Sequence, residues 1–380
     1  MALDVHVLGT ASARPTPERA VSGSLVKGPN GIVVVDCGEG FQSRYALQRR
    51  RLKRFSVGAA LKPRSVDALV FTHGHLDHTW GALPWLQSMD LENRQQPLLV
   101  LGPTSAEAVE ALLNDEPLPE ETPPADLARQ WKAWYALGGD MIRFPVRWVL
   151  GDVKADRWIE VDPASGKARL LEEMPQPEGW KNSSLRPVPT EHTVPSCGWM
   201  VQQDAMAGKF DRARADEMQL TTKQRALVAR GENITDANGE TMAASWFRGG
   251  KRAAVSVLIS GDTATAPEAW QETLAPTLLI HEATFLEEQN DKAEEHMHST
   301  AAGAVASAQA VGATYLALTH YSNRIKTSKK PEDEAKAAAD GVAVVALNDN
   351  DRLVVDDDGE LTHLVWGPEG WATTNIPPNR

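Results

Sequence analysis

The chain has 380 residues, 42% of them hydrophobic and 24% charged, a composition that excludes wholesale disorder and allows a full buried core. Its formal net charge of −12 argues against a polyanion bound over the whole surface, although local basic patches or bound cations could still receive one. No apolar run approaches the roughly 20 residues that cross a bilayer, so no membrane partner is expected.

The first residues lack a basic segment followed by an apolar one, which makes a secretory leader unexpected. Cys37 and Cys197 are too few for a disulfide framework and are read as small buried residues. A reducing, cytoplasmic location is therefore expected.

No internal repeat is visible along the chain. Val5 to Leu8 reads as a strand entering the turn Gly9-Thr10-Ala11-Ser12. The β-branched run Gly31 to Val35 stops abruptly at Asp36-Cys37-Gly38-Glu39-Gly40, a strand delivering a polar loop. From Ser43 to Val66 the chain carries Arg44, Arg49, Arg50, Arg51, Lys53, Arg54, Lys62 and Arg64 with no acidic residue among them. This stretch is either a solvated helix face or a phosphate-contacting surface, in which Arg49, Arg50 and Arg51 are the candidate substrate contacts. Ala68 to Thr72 is another short apolar strand, ending at His73.

Between Gly102 and His192 the character changes. Asp115 to Asp126 is rich in Pro, Glu and Asp and reads as a loop. Trp131, Trp134, Trp148, Trp158 and Trp180 fall in the same region, where they either pack in the core or roof a site. Residues 103–190 are thus read as an inserted, elaborated segment. Gly208 to Thr241 is polar and helix-prone, then turn-rich at Asp236-Ala237-Asn238-Gly239, and reads as an excursion from the domain body. Strand patterns return at Ala253 to Ile259 and Thr277 to Ile280, followed by an alanine-rich helix, Thr300 to Ala310. Further strands are expected at Tyr315 to Thr319, Val342 to Leu347 and Leu353 to Val355. Strands and helices recur in two halves, which suits one α/β domain over residues 1–380, built as a four-layer αββα sandwich.

The chemistry concentrates in Phe71-Thr72-His73-Gly74-His75-Leu76-Asp77-His78. Imidazole suits zinc and other borderline first-row cations, and carboxylate suits harder ones. A histidine pair at i, i+2 can direct both rings to one metal, which leaves the following Asp-His pair for a second. Later strands end in further ligand types: His192 in Thr190-Glu191-His192, Asp262 in Ser260-Gly261-Asp262, and His320 in Leu318-Thr319-His320. The arrangement expected is His73, His75 and His192 on one metal, Asp77, His78 and His320 on the other, and Asp262 bridging them. Zn²⁺ is the default cation for such a set, with Mn²⁺ or Fe²⁺ compatible.

These elements resemble ribonuclease Z, the tRNA 3′-processing endonuclease family of the metallo-β-lactamase superfamily. The resemblance runs from Val5 to about Arg324, with gaps. It includes Leu8-Gly9-Thr10 with Arg14-Pro15-Thr16, Asp36-Cys37-Gly38-Glu39-Gly40 with Gln42, and the His73–His78 motif. His192-Thr193-Val194-Pro195-Ser196 and Gly261-Asp262-Thr263 continue it. The more particular elements are His281-Glu282-Ala283-Thr284-Phe285, His298-Ser299-Thr300, and Leu318-Thr319-His320-Tyr321-Ser322 with Arg324. The resemblance implies a two-metal phosphodiesterase that removes the 3′ trailer of precursor tRNA with a metal-activated water. It further implies that Asp77 orients this water and accepts its proton, that His298 protonates the leaving oxygen, and that the protein is a homodimer in which one subunit's arm serves the other's site. Glu282 could hold a histidine in orientation or make a purely structural hydrogen bond. His281 and His296 are read as structural, and His6 and His363 have no context.

Two departures bear on the substrate. The excursion at 208–241 has six basic residues (Lys209, Arg212, Arg214, Lys223, Arg225, Arg230) and six acidic ones (Asp211, Asp216, Glu217, Glu232, Asp236, Glu240), so a tRNA-gripping arm there is net neutral. Ala226-Leu227-Val228-Ala229-Arg230-Gly231-Glu232 echoes the family's arm without its lysine. The segment after His78 is also extended, and a roof over the metals would favour a small substrate. A hydrolase of a cyclic nucleotide, sulfate ester, lactone or β-lactam is the alternative expectation. A non-catalytic protein of this fold is disfavoured because every expected ligand position is filled.

Overall fold

The computed structural model describes residues 3–56, 58, 60–236, 239–250 and 252–376. Its first sheet takes β1 (Leu3–Gly9), β2 (Gly23–Lys27), β3 (Ile32–Val35), β4 (Val66–Val70), β5 (Leu98–Pro103), β6 (Val146–Asp152), β7 (Arg157–Val161) and β8 (Ala168–Leu170) in sequence order. The second sheet begins with β9 (Ser183–Pro189) and β10 (Cys197–Gln203). A two-residue hairpin, β11 (Ile234–Thr235) with β12 (Thr241–Met242), stands apart. The second sheet resumes with β13 (Val255–Ile259), β14 (Leu278–Glu282), β15 (Tyr315–Thr319) and β16 (Ala343–Ala346).

The alternation of side chains explains the layering. In β3, Val33 and Val35 point into a core shared with Val257, Ile259 and Ile280 of the second sheet. Ile32 and Val34 point the other way, under the helix α1 (Phe41–Phe55). Both faces are covered, so the strand is apolar at every position rather than alternating. The second sheet repeats the design: Val257 and Ile259 face inward, while Leu258 and Leu279 meet Ala301, Ala304 and Ala308 of a later helix. Helix, sheet, sheet and helix are stacked, giving the four-layer metallo-β-lactamase sandwich.

The two sheets are unequal among the described residues, with eleven strands against six. Two additions cause this. The 103–190 segment extends one edge with β6 to β8, and the tail returns to the opposite edge. There β17 (Arg352–Val355) pairs antiparallel with β1, followed by β18 (Leu361–Gly367) and β19 (Gly370–Ile376). Leu353 and Val355 of β17 join the core between the sheets. This return places the last strands on the first sheet, so the two halves are not a simple repeat of one another.

The segment 103–190 also holds the helices α4 (Ala106–Leu113) and α5 (Leu127–Ala136), after α2 (Leu76–Thr79) and α3 (Ala82–Leu91) earlier in the chain. Trp131, Trp134 and Trp148 are buried between α5 and the outer face of the first sheet, and Trp158 is buried between the sheets. These four indoles fill cores and do not roof a site. Trp180 is half-buried, and its Nε1 donates to Asp67 Oδ2 at 3.2 Å.

The excursion after β10 contains α6 (Arg212–Glu217) and α7 (Thr222–Ala229). It has a small core of its own, formed by Ala215, Leu220, Val228, Ile234, Met242, Ala244 and Phe247. Ala237 and Asn238 of the expected turn lie outside the described residues. The second helical layer is α8 (Asn290–Glu295), α9 (Ala301–Val311) and α10 (Lys329–Ala338). No helix among the described residues is long and apolar enough to cross a membrane.

Candidate metal centre and active site

Strands β3 and β4 run parallel, as do β13, β14 and β15, so within each sheet their carboxyl ends share one edge. Just beyond those ends come Asp36, His73, Asp262 and His320, with Glu282 closing β14. His192 arrives from the connection between β9 and β10. Asp36 and His320 both adopt left-handed backbone conformations, with φ of 61° and 58°. Such strain in non-glycine residues persists only where the surroundings enforce it, and here it accompanies side chains turned into the site. Gly261, with φ 64°, lies so close to Thr72 that a Cβ there would collide with the threonine side chain.

The seven expected ligands converge. His73 Nε2 lies 3.0 Å from His75 Nδ1, and His192 Nε2 lies 3.2 Å from the same His75 atom. Opposite them, His78 Nε2 is 3.2 Å from His320 Nε2, which is 3.4 Å from Asp77 Oδ2. Asp262 lies between the groups, with Oδ2 at 3.7 Å from His73 Nε2 and Oδ1 at 3.4 Å from His78 Nε2. Within each of two groups, His73–His75–His192–Asp262 and Asp77–His78–His320, the candidate ligand atoms lie within 4.8 Å of one another. Zinc–nitrogen bonds of about 2.0–2.1 Å in a tetrahedron separate two nitrogens by about 3.3 Å, close to these spacings. Asp262 Oδ1 is buried and makes no well-aligned hydrogen bond among the described residues, with only His320 Nδ1 at 3.2 Å and His78 Nε2 at 3.4 Å beside it. A carboxylate oxygen so placed is otherwise costly, so the donor set fits cations.

The outer nitrogen of each of four imidazoles is held. Asp36 Oδ2 lies 2.8 Å from His78 Nδ1, while the same carboxylate accepts from Thr72 N at 2.8 Å and Thr72 Oγ1 at 2.8 Å. Thr72 Oγ1 lies 3.1 Å from His73 Nδ1, Thr284 Oγ1 lies 3.0 Å from His320 Nδ1, and Met297 O lies 3.1 Å from His192 Nδ1. Asp36 and Thr284 belong to conspicuous strings, yet sequence reasoning assigns them no supporting contacts. A carboxylate straight after a β-branched strand was the available signal.

Burial lowers the pKa of His73, and burial with neighbouring histidines lowers His75 to about 4, so both rings are neutral and ready to donate. Burial alone would raise Asp262, but His320 and His78 hold it well below the usual carboxylate range. Asp77 is also held down: burial opposes its charge, and His78 and His320 outweigh that. Asp77 Oδ2 additionally accepts from Ala13 N at 2.7 Å.

His298 stands beside this cluster with Nδ1 at 2.8 Å from Glu282 Oε1. Glu282 also accepts from Thr263 N at 3.2 Å and Thr284 N at 3.0 Å. Burial pushes His298 down, and the charge and hydrogen bond of Glu282 more than reverse this, raising it to about 9. A third grouping, Asp262, His298 and His320, also meets the ligand spacing. His281 is buried with Nδ1 at 2.7 Å from Glu282 O, and His296 is exposed at the end of α8. His6 and His363 are buried away from the cluster, facing Gln48 and Asp351 respectively.

The basic patch lies elsewhere. Arg49, Arg50 and Arg51 are 9 to 11 residues beyond Gly40, the N-cap of α1, about 14–17 Å along the helix axis from that cap. Arg49 pairs with Glu92 at 2.9 Å, the Arg51 guanidinium lies 3.9 Å from the centre of the Trp366 ring, and Arg50 is exposed. A cavity of about 840 Å³ there is lined by Arg49, Arg50, Lys53 and Lys62, without any of the convergent ligands.

The family model described as the metallo-beta-lactamase superfamily matches residues 16–91, the stretch that carries the His73–His78 motif. A ribonuclease Z of Natronomonas pharaonis is 30% identical over 348 residues, which cover 91% of this chain and 96% of that protein. A ribonuclease Z of Myxococcus xanthus is 29% identical with the same coverage of both chains. Among solved structures, the human short-form tRNase Z matches with a TM-score of 0.52 at 20% identity, covering 92% of this chain and 98% of its own. The long-form RNase Z from yeast matches with a TM-score of 0.56 at 16% identity, covering 94% of this chain and 42% of its own. The structures agree on the fold, and the sequence identity extends over nearly the whole of both proteins: this chain belongs to the ribonuclease Z family of the metallo-β-lactamase superfamily.

Proposed function

We propose that the chain is a metal-dependent endoribonuclease that removes the 3′ trailer of precursor tRNA, leaving a 3′-hydroxyl. The observation carrying this reading is the pairing of a two-cluster candidate ligand set, drawn from both sheets, with the Glu282–His298 dyad. His73, His75 and His192 would hold one divalent cation, Asp77, His78 and His320 a second, with Asp262 between them. Zn²⁺ fits this imidazole-rich set best. Bound cations supply positive charge to the phosphoryl oxygens and lower the pKa of a nearby water.

The protein's own groups supply the rest. Asp77, whose Oδ2 accepts from the Ala13 amide, would orient the attacking water and take its proton. His298 carries a proton on Nε2 while Nδ1 is held by Glu282, so Nε2 can protonate the departing ribose oxygen. Glu282 acts by orienting His298 and keeping it charged, which supports an electrostatic role over a merely structural one.

The excursion offers support for a homodimer. β10 leads away from the site edge and β13 leads back to it, so the segment between them emerges at the opposite end of the sheet. The seven residues of β10 span about 20 Å. An arm so placed is better positioned to serve a second subunit's site than its own. A cytoplasmic enzyme acting on tRNA is consistent with this reading.

The test is a side-by-side assay of the metal-loaded protein on a precursor tRNA and on bis-p-nitrophenyl phosphate. Cleavage of the tRNA directly after its discriminator nucleotide is expected. Turnover of the small ester alone would overturn the tRNA assignment and favour a small substrate.

A further inference from the structure

We infer that Gln130, in the 103–190 segment, is a positioning residue for the His73-Gly74-His75 turn. The inference rests on the reading that His73 and His75 hold a cation. Its basis is the way the backbone of that turn is fastened. Trp199 Nε1 donates to Phe71 O at 2.8 Å, and Cys197 N donates to Thr72 O at 2.8 Å. Thr79 Oγ1 and His78 N donate to His75 O at 3.1 and 3.0 Å. The carbonyl between the two histidines, Gly74 O, accepts from Gln130 Nε2.

Gln130 is buried on α5, and its Oε1 has no hydrogen-bond partner among the described residues. A buried carboxamide satisfied on one side only is a costly choice for a position among Leu127, Trp131 and Trp134. Packing alone would be met by an apolar side chain. The backbone approach is equally close: a Cβ at Gly74 would run into Ala125 O, in the loop leading to α5. The segment therefore braces the turn from the side of the helical layer. Rotation of the Gly74 peptide would move both imidazoles, which must keep Nε2 of His73 and Nδ1 of His75 about one ligand-edge apart.

Three variants separate positioning from packing. Gln130→Met keeps the length and removes the donor. Gln130→Glu keeps the shape and turns a carboxylate oxygen toward Gly74 O. Gln130→Ala removes the bulk. Zinc affinity is measured by competition with a chromophoric chelator, together with kcat and KM at saturating zinc and the melting temperature of the metal-free protein. Gln130→Glu and Gln130→Met should both weaken zinc binding, by about 10–100-fold for a lost supporting contact. Their kcat should fall with KM little changed, and Gln130→Glu should be the worse of the two. Should Gln130→Glu not fold, the zinc affinity of Gln130→Met decides. Parent-like zinc affinity and kcat in Gln130→Met, with only Gln130→Ala impaired, would overturn the inference and assign packing alone. A parent protein that binds no zinc would instead remove the ligation reading and this inference with it.

Discussion

Removing the Asp36 carboxylate should damage the site from behind without touching a candidate ligand. Asp36 is 3% exposed and serves Thr72 N, Thr72 Oγ1 and His78 Nδ1, each at 2.8 Å. In Asp36→Ala the Thr72 amide and the His78 Nδ1–H lose their acceptor inside the protein, at about 1–3 kcal/mol each, and the Thr72 hydroxyl can rotate elsewhere. The expected loss is about 2–6 kcal/mol, a large part of the about 5–15 kcal/mol that holds a domain folded. Asp36→Asn keeps the shape but can no longer accept all three bonds as an anion. Loss of such an outer-shell contact weakens cation binding by about 10–100-fold, equivalent to about 1.4–2.7 kcal/mol. Urea unfolding of the metal-free protein reads the first quantity, and zinc competition reads the second. If Asp36→Asn bound zinc with parent affinity, the argument that Asp36 orients His78 would be refuted.

His298→Ala should retain its metal and lose turnover by about 10²–10⁴-fold; loss of metal, measured by elemental analysis, would make His298 a ligand instead. The raised pKa of His298 keeps it protonated below about 9, so activity that depends on its proton is present at neutral pH and falls as pH rises through that value. Glu282→Gln removes the charge that raises it, and the alkaline limb of kcat/KM should move to lower pH; an unmoved limb would exclude this coupling. Arg50→Glu should weaken precursor-tRNA binding and flatten its salt dependence if the patch touches phosphate, while Arg51→Glu should also lower the melting temperature by losing its stack on Trp366; unchanged binding in both removes the patch from substrate recognition. Replacing residues 209–248 with a short linker should spare zinc content and small-ester hydrolysis but impair tRNA cleavage, because this segment carries its own small core; parent-like tRNA cleavage would contradict an arm function.

The strongest features of the site were legible because several candidate ligands follow short apolar strands. His73, Asp262 and His320 stand shortly after such runs, His73 at the end of a parallel strand of the first sheet and Asp262 and His320 at the ends of parallel strands of the second. The layering was legible too, since the inward and outward faces of Ile32–Val35 are both apolar. What could not be read was long-range pairing. Nothing local in Arg352–Val355 distinguishes a partner in the second sheet from β1, at the other end of the chain. The tryptophans of 103–190 could have been core or roof, and only tertiary packing decides between these. Arg49, Arg50 and Arg51 form a dense basic string, yet successive helical residues point in different directions, and Glu92 and Trp366 occupy two of the three. Gln130 has no sequence signature at all, because its partner is a backbone carbonyl 56 residues away.

The most direct measurement is anomalous diffraction from zinc-loaded crystals, collected on either side of the zinc absorption edge. The account predicts two peaks, one among His73, His75 and His192 and another among Asp77, His78 and His320, with Asp262 reaching both. An absence of peaks at these side chains, in protein that still cleaves precursor tRNA, would contradict it.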